Sequence, residues 1–228
     1  MQLIDTPSPN FDARALPVSM VVLHYTGMVD AASAIDRLAD PEAKVSAHYV
    51  VAEDGQVIRM VAEEQRAWHA GRSWWRGVTD INSASIGIEI VNPGHEFGYR
   101  PFPEAQVDAV IELLGGIVQR HGITRGNVVG HSDVAPARKE DPGELFPWYR
   151  LARLRLALPR PNRNLMDPHW SDAGFLLALE RFGYDVTDGV AAIRAFQRRF
   201  RPEMIDGIID GECRAILLAL LLPKPTGD

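Results

Sequence analysis

The chain has a single cysteine, Cys213, among its 228 residues, so no internal disulfide can form. Its formal net charge is −6, and no basic run offers the phosphate contacts that a nucleic-acid-binding protein needs. Residues 1–17 contain neither a basic stretch followed by an apolar core nor a lipid-acceptor cysteine. We therefore expect no nucleic-acid partner, no membrane span and a cytoplasmic location. If a leader was trimmed from the chain, a periplasmic or outer-membrane-associated location is the alternative.

A chain of this length with 46% hydrophobic residues can bury one good core and a smaller second one. Apolar runs predict strands, with an Asp54-Gly55 hairpin turn between the second and the third, at residues 18–25, 48–52, 57–61, 85–92 and 127–130. Helical spacing predicts helices at residues 31–38, 104–121 and 148–158, with Asp30 as the cap of the first. The fold class is therefore α/β: a mixed, twisted sheet flanked by helices, with the site at one edge.

The prolines of residues 159–164 forbid a continuous helix and predict a linker. After it, three helical patterns follow at residues 172–182, 188–200 and 211–222. The sequence thus divides into a first domain, 1–158, and a small three-helix domain, 165–228.

A short loop, residues 129–143, carries a histidine, a lysine and an aspartate: His131, Lys139 and Asp141. His24 follows an apolar run, residues 20–23, and lies at the end of a predicted buried strand. Two imidazoles and one carboxylate, with a fourth position left for water, are the ligands of a catalytic zinc site, whereas structural zinc usually takes four protein ligands. Taken singly, these residues also suit a buried structural histidine, a surface lysine and an Asp-Pro-Gly turn.

Five separate motifs follow one another along the chain: Leu-His-Tyr-Thr at 23–26, Ser-Ala-His-Tyr-Val-Val at 46–51, Ala-Trp-His-Ala-Gly at 67–71, residues 82–90, and Gly-His-Ser-Asp at 130–133 with residues 138–143. In this order they resemble one family: the zinc-dependent N-acetylmuramoyl-L-alanine amidases, which include bacterial anhydromuropeptide amidases, phage amidase lysozymes and animal peptidoglycan recognition proteins. The resemblance runs from about Pro7 to Trp148.

The resemblance implies that His24, His131 and Asp141 bind zinc. It makes Glu89 and Lys139 the catalytic pair. Burial on an apolar strand would raise the pKa of Glu89 into a range useful for proton transfer, and Lys139 can stabilise the oxygen that becomes negative. Without the resemblance, Glu89 could equally be a solvent-facing carboxylate at a strand end.

The chain departs from part of this family at two positions. The phage enzymes and recognition proteins carry a tyrosine where this chain has Ala47, and a cysteine ligand where it has Asp141. The sequence therefore resembles the bacterial branch, in which Glu89 takes the proton-transfer role. We expect His48 to be a structural histidine on a strand.

Aromatic, basic and amide side chains suited to gripping a sugar face and a short peptide are the predicted substrate contacts: Trp68, His69, Arg72, Trp74, Asn82 and Arg138. Alternatively, some of the tryptophans pack the core, and Asn82 shapes the loop before the strand of Glu89. Residues 192–200 and the following Asp-Gly pairs resemble the three-helix peptidoglycan-binding domain, which would retain substrate; the alternative is a docked helical subdomain that only stabilises the first domain.

The resemblance implies a zinc enzyme that cleaves the amide between N-acetylmuramic acid, or its 1,6-anhydro form, and L-alanine. Its partners would be anhydromuropeptides or the sacculus. A catalytically silent recognition module is the second possibility, and a zinc hydrolase of another amide is the third. The complete set of the three metal ligands, Glu89 and Lys139 favours the enzyme, because silent members typically lack a metal ligand.

Overall fold

The apolar runs form the inner strands of a six-stranded sheet in a computed structural model, which describes residues 3–161 and 166–222. Half of the predicted linker, residues 162–164, lies outside the described residues, as do 1–2, 165 and 223–228. The strands of the described residues are β1 (Leu3–Asp5), β2 (Phe11–Ala13), β3 (Met20–Tyr25), β4 (Tyr49–Val51), β5 (Val57–Arg59), β6 (Gln65–Ala67), β7 (Ser85–Ile90) and β8 (Val128–Gly130).

The described α-helices flank this sheet or follow it. They are α1 (Ala31–Ala39), α2 (Ile81–Ala84), α3 (Gly94–Phe97), α4 (Glu104–His121), α5 (His131–Val134), α6 (Trp148–Arg153), α7 (Asp172–Phe182), α8 (Gly189–Phe200) and α9 (Gly211–Leu221). The predicted cap of α1 is present, since Asp30 accepts the backbone N–H of Ser33. Gly122 ends α4 in the left-handed conformation.

The sheet order is β1-β5-β4-β7-β3-β8, and β2 pairs separately with β6. Four neighbouring strands, β4, β7, β3 and β8, are parallel, whereas β5 runs antiparallel to β4 across the Asp54-Gly55 turn. The prediction of a mixed α/β sheet flanked by helices is confirmed. The parallel strands place all their carboxyl ends at one end of the sheet, which is the usual place for a site in such folds.

Alternate residues of β3 point to two different hydrophobic cores. Val21 and Leu23 pack in the core that contains α4, whereas Met20 and Val22 pack in the core that contains α7, α8 and α9. A strand covered by helices on both faces has apolar residues at every position. This is why residues 20–23 do not alternate between apolar and polar side chains. The face that bears Met20 and Val22 also bears His24, by the two-residue period of a strand.

The three C-terminal helices share their core with the sheet. Phe175, Tyr184, Phe196 and Leu217 belong to the same cluster of buried side chains as Trp75 of the first predicted domain. The Trp75 ring meets the Tyr184 ring edge-on, with centroids 5.2 Å apart. The assignment of residues 165–228 to a separate binding domain stays a prediction, but this helical segment packs as a continuation of the catalytic fold.

The helix predicted for residues 148–158 is wrong in its second half, because α6 ends at Arg153. Arg155 takes the left-handed conformation with φ 60°, and the N–H of Leu156 returns to the carbonyl of Leu151. This reversal turns Ala157 into the core, where it is fully buried. The apolar spacing of this segment therefore reflects two changes of direction rather than a longer helix.

Among the described helices, none combines the length and hydropathy that crossing a membrane requires.

Glu63 ties α4 to the sheet and provides a test of pH-dependent stability. Burial raises its pKa, but donors from Arg120, His121 and Tyr49 outweigh burial and lower the pKa to about 2. A depressed carboxyl pKa stabilises the fold above the unfolded value and loses that contribution as the pH falls toward 2. We expect Glu63→Gln to lower the free energy of unfolding by about 1–3 kcal/mol at pH 7. In urea titrations, the difference in free energy of unfolding between wild type and Glu63→Gln should shrink between pH 4.5 and pH 2. The control Glu64→Gln, at an exposed glutamate, should show no such difference at either pH.

Candidate metal centre and active-site cleft

Three adjacent parallel strands bring the predicted metal and catalytic residues together. His24 on β3 pairs in register with Glu89 on β7, so both side chains project from the same face. Leu23 pairs with Gly130, the last residue of β8, and His131 follows directly at the start of α5. His24, Glu89 and His131 thus lie at the carboxyl ends of neighbouring strands, and strand pairing alone makes them neighbours.

His24, His131 and Asp141 form a buried group that could hold a metal ion. The two Nδ1 atoms lie 2.9 Å apart, and Asp141 Oδ2 lies 3.1 Å from the first and 3.0 Å from the second. All three residues are less than 7% exposed. The loop between α5 and α6 reaches this position because the N–H of Ser132 donates to the carbonyl of Asp141.

The hydrogen bond of His131 to the backbone fixes which of its nitrogens faces the group. Its Nε2 lies 3.1 Å from the carbonyl oxygen of Ala70, which can only accept. The ring proton therefore resides on Nε2, and a neutral His131 directs the lone pair of Nδ1 at Asp141 and His24.

A chain of hydrogen bonds fixes His24 in the same way. The Ser85 hydroxyl donates to the carbonyl of Ile81 at 2.6 Å, so it must accept from His69 Nε2 at 3.2 Å. His69 Nδ1 then carries a lone pair and accepts from His24 Nε2 at 3.0 Å. His24 Nδ1 is left with its lone pair toward the group.

Gly87 makes room for this chain on the surface of the sheet. It lies between Ser85 and Glu89 on the face that carries the site, and a Cβ at this position would be only 2.5 Å from the His69 ring. The ring of His69 therefore lies directly on the backbone of β7, with Ser85 on one side and His24 on the other. A side chain at position 87 would displace it.

The protonation states of the group suit a bound cation. Burial, with the neighbouring His131, lowers the pKa of His24 to about 4. Burial raises the pKa of Asp141, but the contacts with His131 and His24 outweigh it and hold that pKa well below its usual range. Two imidazole nitrogens and one carboxylate converge within hydrogen-bond distance of one another. This set of donor atoms fits a metal ion.

Glu89 is a half-buried residue beside this centre, and its carboxylate Oε2 is buried. Its pKa is raised well above the usual value by burial and then by Asp141, while Lys139 opposes the shift. Among the described residues, its Oε2 has no hydrogen-bond partner. A buried carboxylate oxygen without a protein partner is equipped to exchange a proton with a molecule bound in the cleft.

A cleft of about 800 Å³ opens over the centre. Its lining includes the three residues of the metal group, Glu89 and Lys139, so the structure brings together all five residues predicted for metal binding and catalysis. The volume is that of a site for a small ligand. Lys139 enters from the loop that also carries Asp141, after a turn in which its N–H donates to the carbonyl of Ala135.

The predicted substrate contacts separate into two groups. Trp68, His69 and Arg138 line the cleft, and Asn82 lines an adjoining cavity of about 510 Å³. Asn82 Oδ1 also accepts the N–H groups of His69 and Ala70, at 3.1 and 2.7 Å, so it shapes this loop as well.

Arg72 and Trp74 are absent from the described lining of both cavities. The exposed Arg72 offers its carbonyl to the guanidinium of Arg138. The N–H of Trp74 donates to the carbonyl of Val134 at 2.8 Å, which links its loop to α5. The substrate roles of Arg72 and Trp74 stay predictions. The neighbouring Trp75 packs in the core, which agrees with the alternative that some of the tryptophans are core residues.

His48 lies between strands and outside the metal group. Its Nδ1 accepts the N–H of Gly87 at 2.9 Å, and burial lowers its pKa to about 3. This is the structural role that its position on a strand predicts.

A cluster of side chains at the rim of the cleft was not predicted from the sequence. His95 lines the cleft, stacks on Tyr99 at 4.3 Å between ring centroids, and lies 2.9 Å from the Tyr25 hydroxyl and 3.2 Å from the Glu144 carboxylate. These residues come from three segments that are far apart in the sequence. The only local signal was the aromatic and glycine content of residues 92–99, which indicates a loop but not its target.

Comparison with known proteins agrees with this geometry. Residues 14–144 match the family Amidase_2, described as N-acetylmuramoyl-L-alanine amidase. The chain is 40% identical to the N-acetylmuramoyl-L-alanine amidase AmiD of Escherichia coli, over 90% of this chain and 82% of that protein. It is 34% identical to the 1,6-anhydro-N-acetylmuramyl-L-alanine amidase AmpD of Haemophilus influenzae, over 63% of this chain and 86% of that protein.

Solved structures resemble most of the chain, including the C-terminal helices. E. coli AmiD, in complex with anhydro-N-acetylmuramic acid-L-Ala-D-γ-Glu-L-Lys, gives a TM-score of 0.81 at 37% identity and covers 92% of this chain and 91% of its own. AmpDh3 from Pseudomonas aeruginosa gives 0.78 at 35% identity, over 89% and 91%. The match over more than half of the chain and the shared fold confirm the resemblance seen in the motifs: this protein belongs to the N-acetylmuramoyl-L-alanine amidase family.

Proposed function

We propose that this protein is a zinc-dependent amidase that hydrolyses the bond between N-acetylmuramic acid, including its 1,6-anhydro form, and the L-alanine of the stem peptide. The observation that carries the proposal is the convergence of the lone pairs of His24 and His131 with the carboxylate of Asp141, beside the unpartnered carboxyl of Glu89. Three protein ligands leave a position open, as catalytic rather than structural zinc requires.

His24, His131 and Asp141 would hold the ion. When bound, zinc supplies Lewis acidity toward the scissile carbonyl and lowers the pKa of water. Glu89, in register with His24 on the neighbouring strand, accepts the proton of the attacking water. It then returns that proton to the amine of L-alanine as the C–N bond breaks. Its buried position raises its pKa, which makes it strong enough as a base and still able to donate.

Lys139 is the cation placed to stabilise the oxygen that gains negative charge during attack. It lines the cleft two residues before Asp141, on a loop that the metal group itself fixes in place. A positive charge prearranged in a cleft with limited water access favours the transition state over the neutral amide.

The substrate class is supported by the cleft and by the relatives. AmiD and AmpDh3 have been solved with anhydromuramic peptides bound, and both resemble this chain at more than 30% identity. Trp68 offers an apolar face for the sugar, and Arg138 offers a guanidinium for a peptide carboxylate. We propose soluble anhydromuropeptides as substrates in wall recycling; the cytoplasmic location stays a prediction.

The metal requirement gives the direct test. We expect the purified protein to convert an anhydromuramoyl tripeptide into anhydromuramic acid and a peptide with free L-alanine, whose masses sum to substrate plus one water. Treatment with 1,10-phenanthroline should abolish this reaction, and one equivalent of added zinc should restore it. Mass spectrometry of the products and metal analysis of the same samples measure both.

Two outcomes would contradict the proposal. Turnover that continues in protein shown to be free of metal would remove the metal from the reaction. Tight binding of the muropeptide by the zinc-loaded protein without cleavage would instead identify the silent recognition module. Intact sacculi assayed in parallel show whether polymeric wall is also a substrate.

A further inference from the structure

The loop that begins at His131 and ends at Asp141 is held from outside by helix α8. Two consecutive arginines of that helix, Arg198 and Arg199, contact opposite ends of the loop. The family match ends at residue 144, so these contacts come from a part of the chain that the match does not include. No role in the active site has been assigned to this helix by the sequence motifs.

The first contact is centred on Asp133, two residues after the ligand His131. Its Oδ2 accepts the N–H of Gly130 at 2.7 Å, and its Oδ1 accepts the Tyr184 hydroxyl at 2.6 Å. Arg199 Nη1 lies 3.6 Å from Oδ2. Gly130 and Asp133 bracket His131 in sequence, so the position of Asp133 sets the start of α5 and with it the direction of the imidazole.

Asp133 needs these partners because it is only 2% exposed. A buried carboxylate is costly unless it is paired and hydrogen-bonded. Of the described partners of the Asp133 carboxylate, Gly130 lies in the same turn as Asp133 itself. The partners from distant parts of the chain are Tyr184 and Arg199. Arg199 is held in turn, with its guanidinium carbon 3.1 Å from the centre of the Trp148 ring.

The second contact holds the other end of the loop. Arg198 Nη2 donates to Glu140 at 3.0 Å, and its Nε lies 3.7 Å from Glu144. These two glutamates flank Asp141. Arg198 and Arg199 are consecutive residues of one rigid helix. By contacting the two ends of the loop, they hold His131 and Asp141 at a fixed separation.

We propose that Tyr184 and Arg199 are positioning residues of the metal centre: through Asp133 they set the orientation of His131, so that the C-terminal helices preset the distance between the two ligands on the loop. This inference rests on the proposed function, because it assumes that His131 binds the metal. The C-terminal helical segment then contributes to metal affinity, whether or not it binds glycan.

Tyr184→Phe in the full-length protein is the sharpest test, because it removes one hydroxyl and preserves the ring that packs on Trp75. We expect its zinc dissociation constant, measured by competition with a chromogenic chelator, to rise up to about 10-fold, the lower end of the range for direct outer partners of metal ligands, because Tyr184 acts on His131 through Asp133. Activity on the soluble muropeptide should fall at limiting zinc and recover at excess zinc. The matched control is Tyr149→Phe, at a tyrosine that is 65% exposed.

A purely structural role predicts a different result. If Tyr184→Phe only lowers the melting temperature, and its zinc dissociation constant equals that of the wild type at a temperature where both are folded, the proposal is overturned. Asp133→Asn and the double variant Asp133→Asn/Tyr184→Phe complete a double-mutant cycle. Removing the Tyr184 hydroxyl should change the zinc dissociation constant by a different factor in Asp133→Asn than in the wild type. A wild-type protein that binds no zinc would instead refute the proposed function.

Discussion

His131→Ala is expected to lose its zinc and its amidase activity together while it remains folded. The substitution removes one of the three proposed ligand atoms and leaves Asp141 with only His24 as a partner in the group. Loss of a direct ligand should exceed the about 10- to 100-fold loss of affinity that follows removal of an outer partner. Metal analysis after dialysis should therefore find wild-type protein with one zinc and the variant with almost none, and turnover should fall below detection.

The control is a histidine whose replacement should change neither the zinc content nor the rate. His169 is such a control, since its side chain is 85% exposed. His169→Ala should retain zinc and rate, and circular dichroism should show the same helix content in both variants. Stoichiometric zinc in His131→Ala would show that His131 is not a ligand and that another residue binds the ion together with His24 and Asp141.

Glu89→Gln is expected to keep zinc and lose turnover. The amide has the shape of the carboxyl group but cannot take a proton from water, so kcat should fall by about a hundredfold to ten-thousandfold, the usual range for general acid–base catalysis. Because the wild-type carboxyl is buried and Oε2 lacks a partner, neutralising it should not lower the free energy of unfolding. Steady-state kinetics at saturating substrate and metal analysis of the same preparation measure the two effects.

An exposed glutamate far from the cleft, Glu180 on α7, provides the matched substitution. Glu180→Gln should behave as the wild type in both assays. A near-wild-type rate in Glu89→Gln would refute its role as the base, and zinc loss in that variant would show that Glu89 serves the metal instead.

The sequence predicted the elements whose signal is local. Buried strands such as Met20–Tyr25 carry continuous apolar runs, and α4 carries both a helical stripe and a terminal glycine, so their positions agree with the structure within a few residues. The candidate metal and catalytic residues could be predicted because each stands at the end of such a strand or in a loop with a recognisable motif. Parallel pairing then brings them together without further information.

Other features depend on contacts between distant segments and leave no local pattern. Short pairings such as β2 with β6 arise from three residues each, too few to show a period. The link from Asp133 to Tyr184 joins positions 51 residues apart. Asp133, two residues after His131, looks in the sequence alone like an ordinary helix-start residue. The positioning role that we propose for it rests on the packing of α8 against the loop.

The shared core has a consequence for how sequences of this family can be interpreted. Met20, Val22 and Val129 lie under the C-terminal helices, and a chain that ended near residue 158 would expose them to water. Relatives such as H. influenzae AmpD align with only 63% of this chain. Shorter members must therefore carry smaller or more polar residues at these alternate strand positions, or cover them with another segment. Apolar residues at 20, 22 and 129 therefore indicate, from inside the catalytic region itself, that a further segment covers this face, as the C-terminal helices do here.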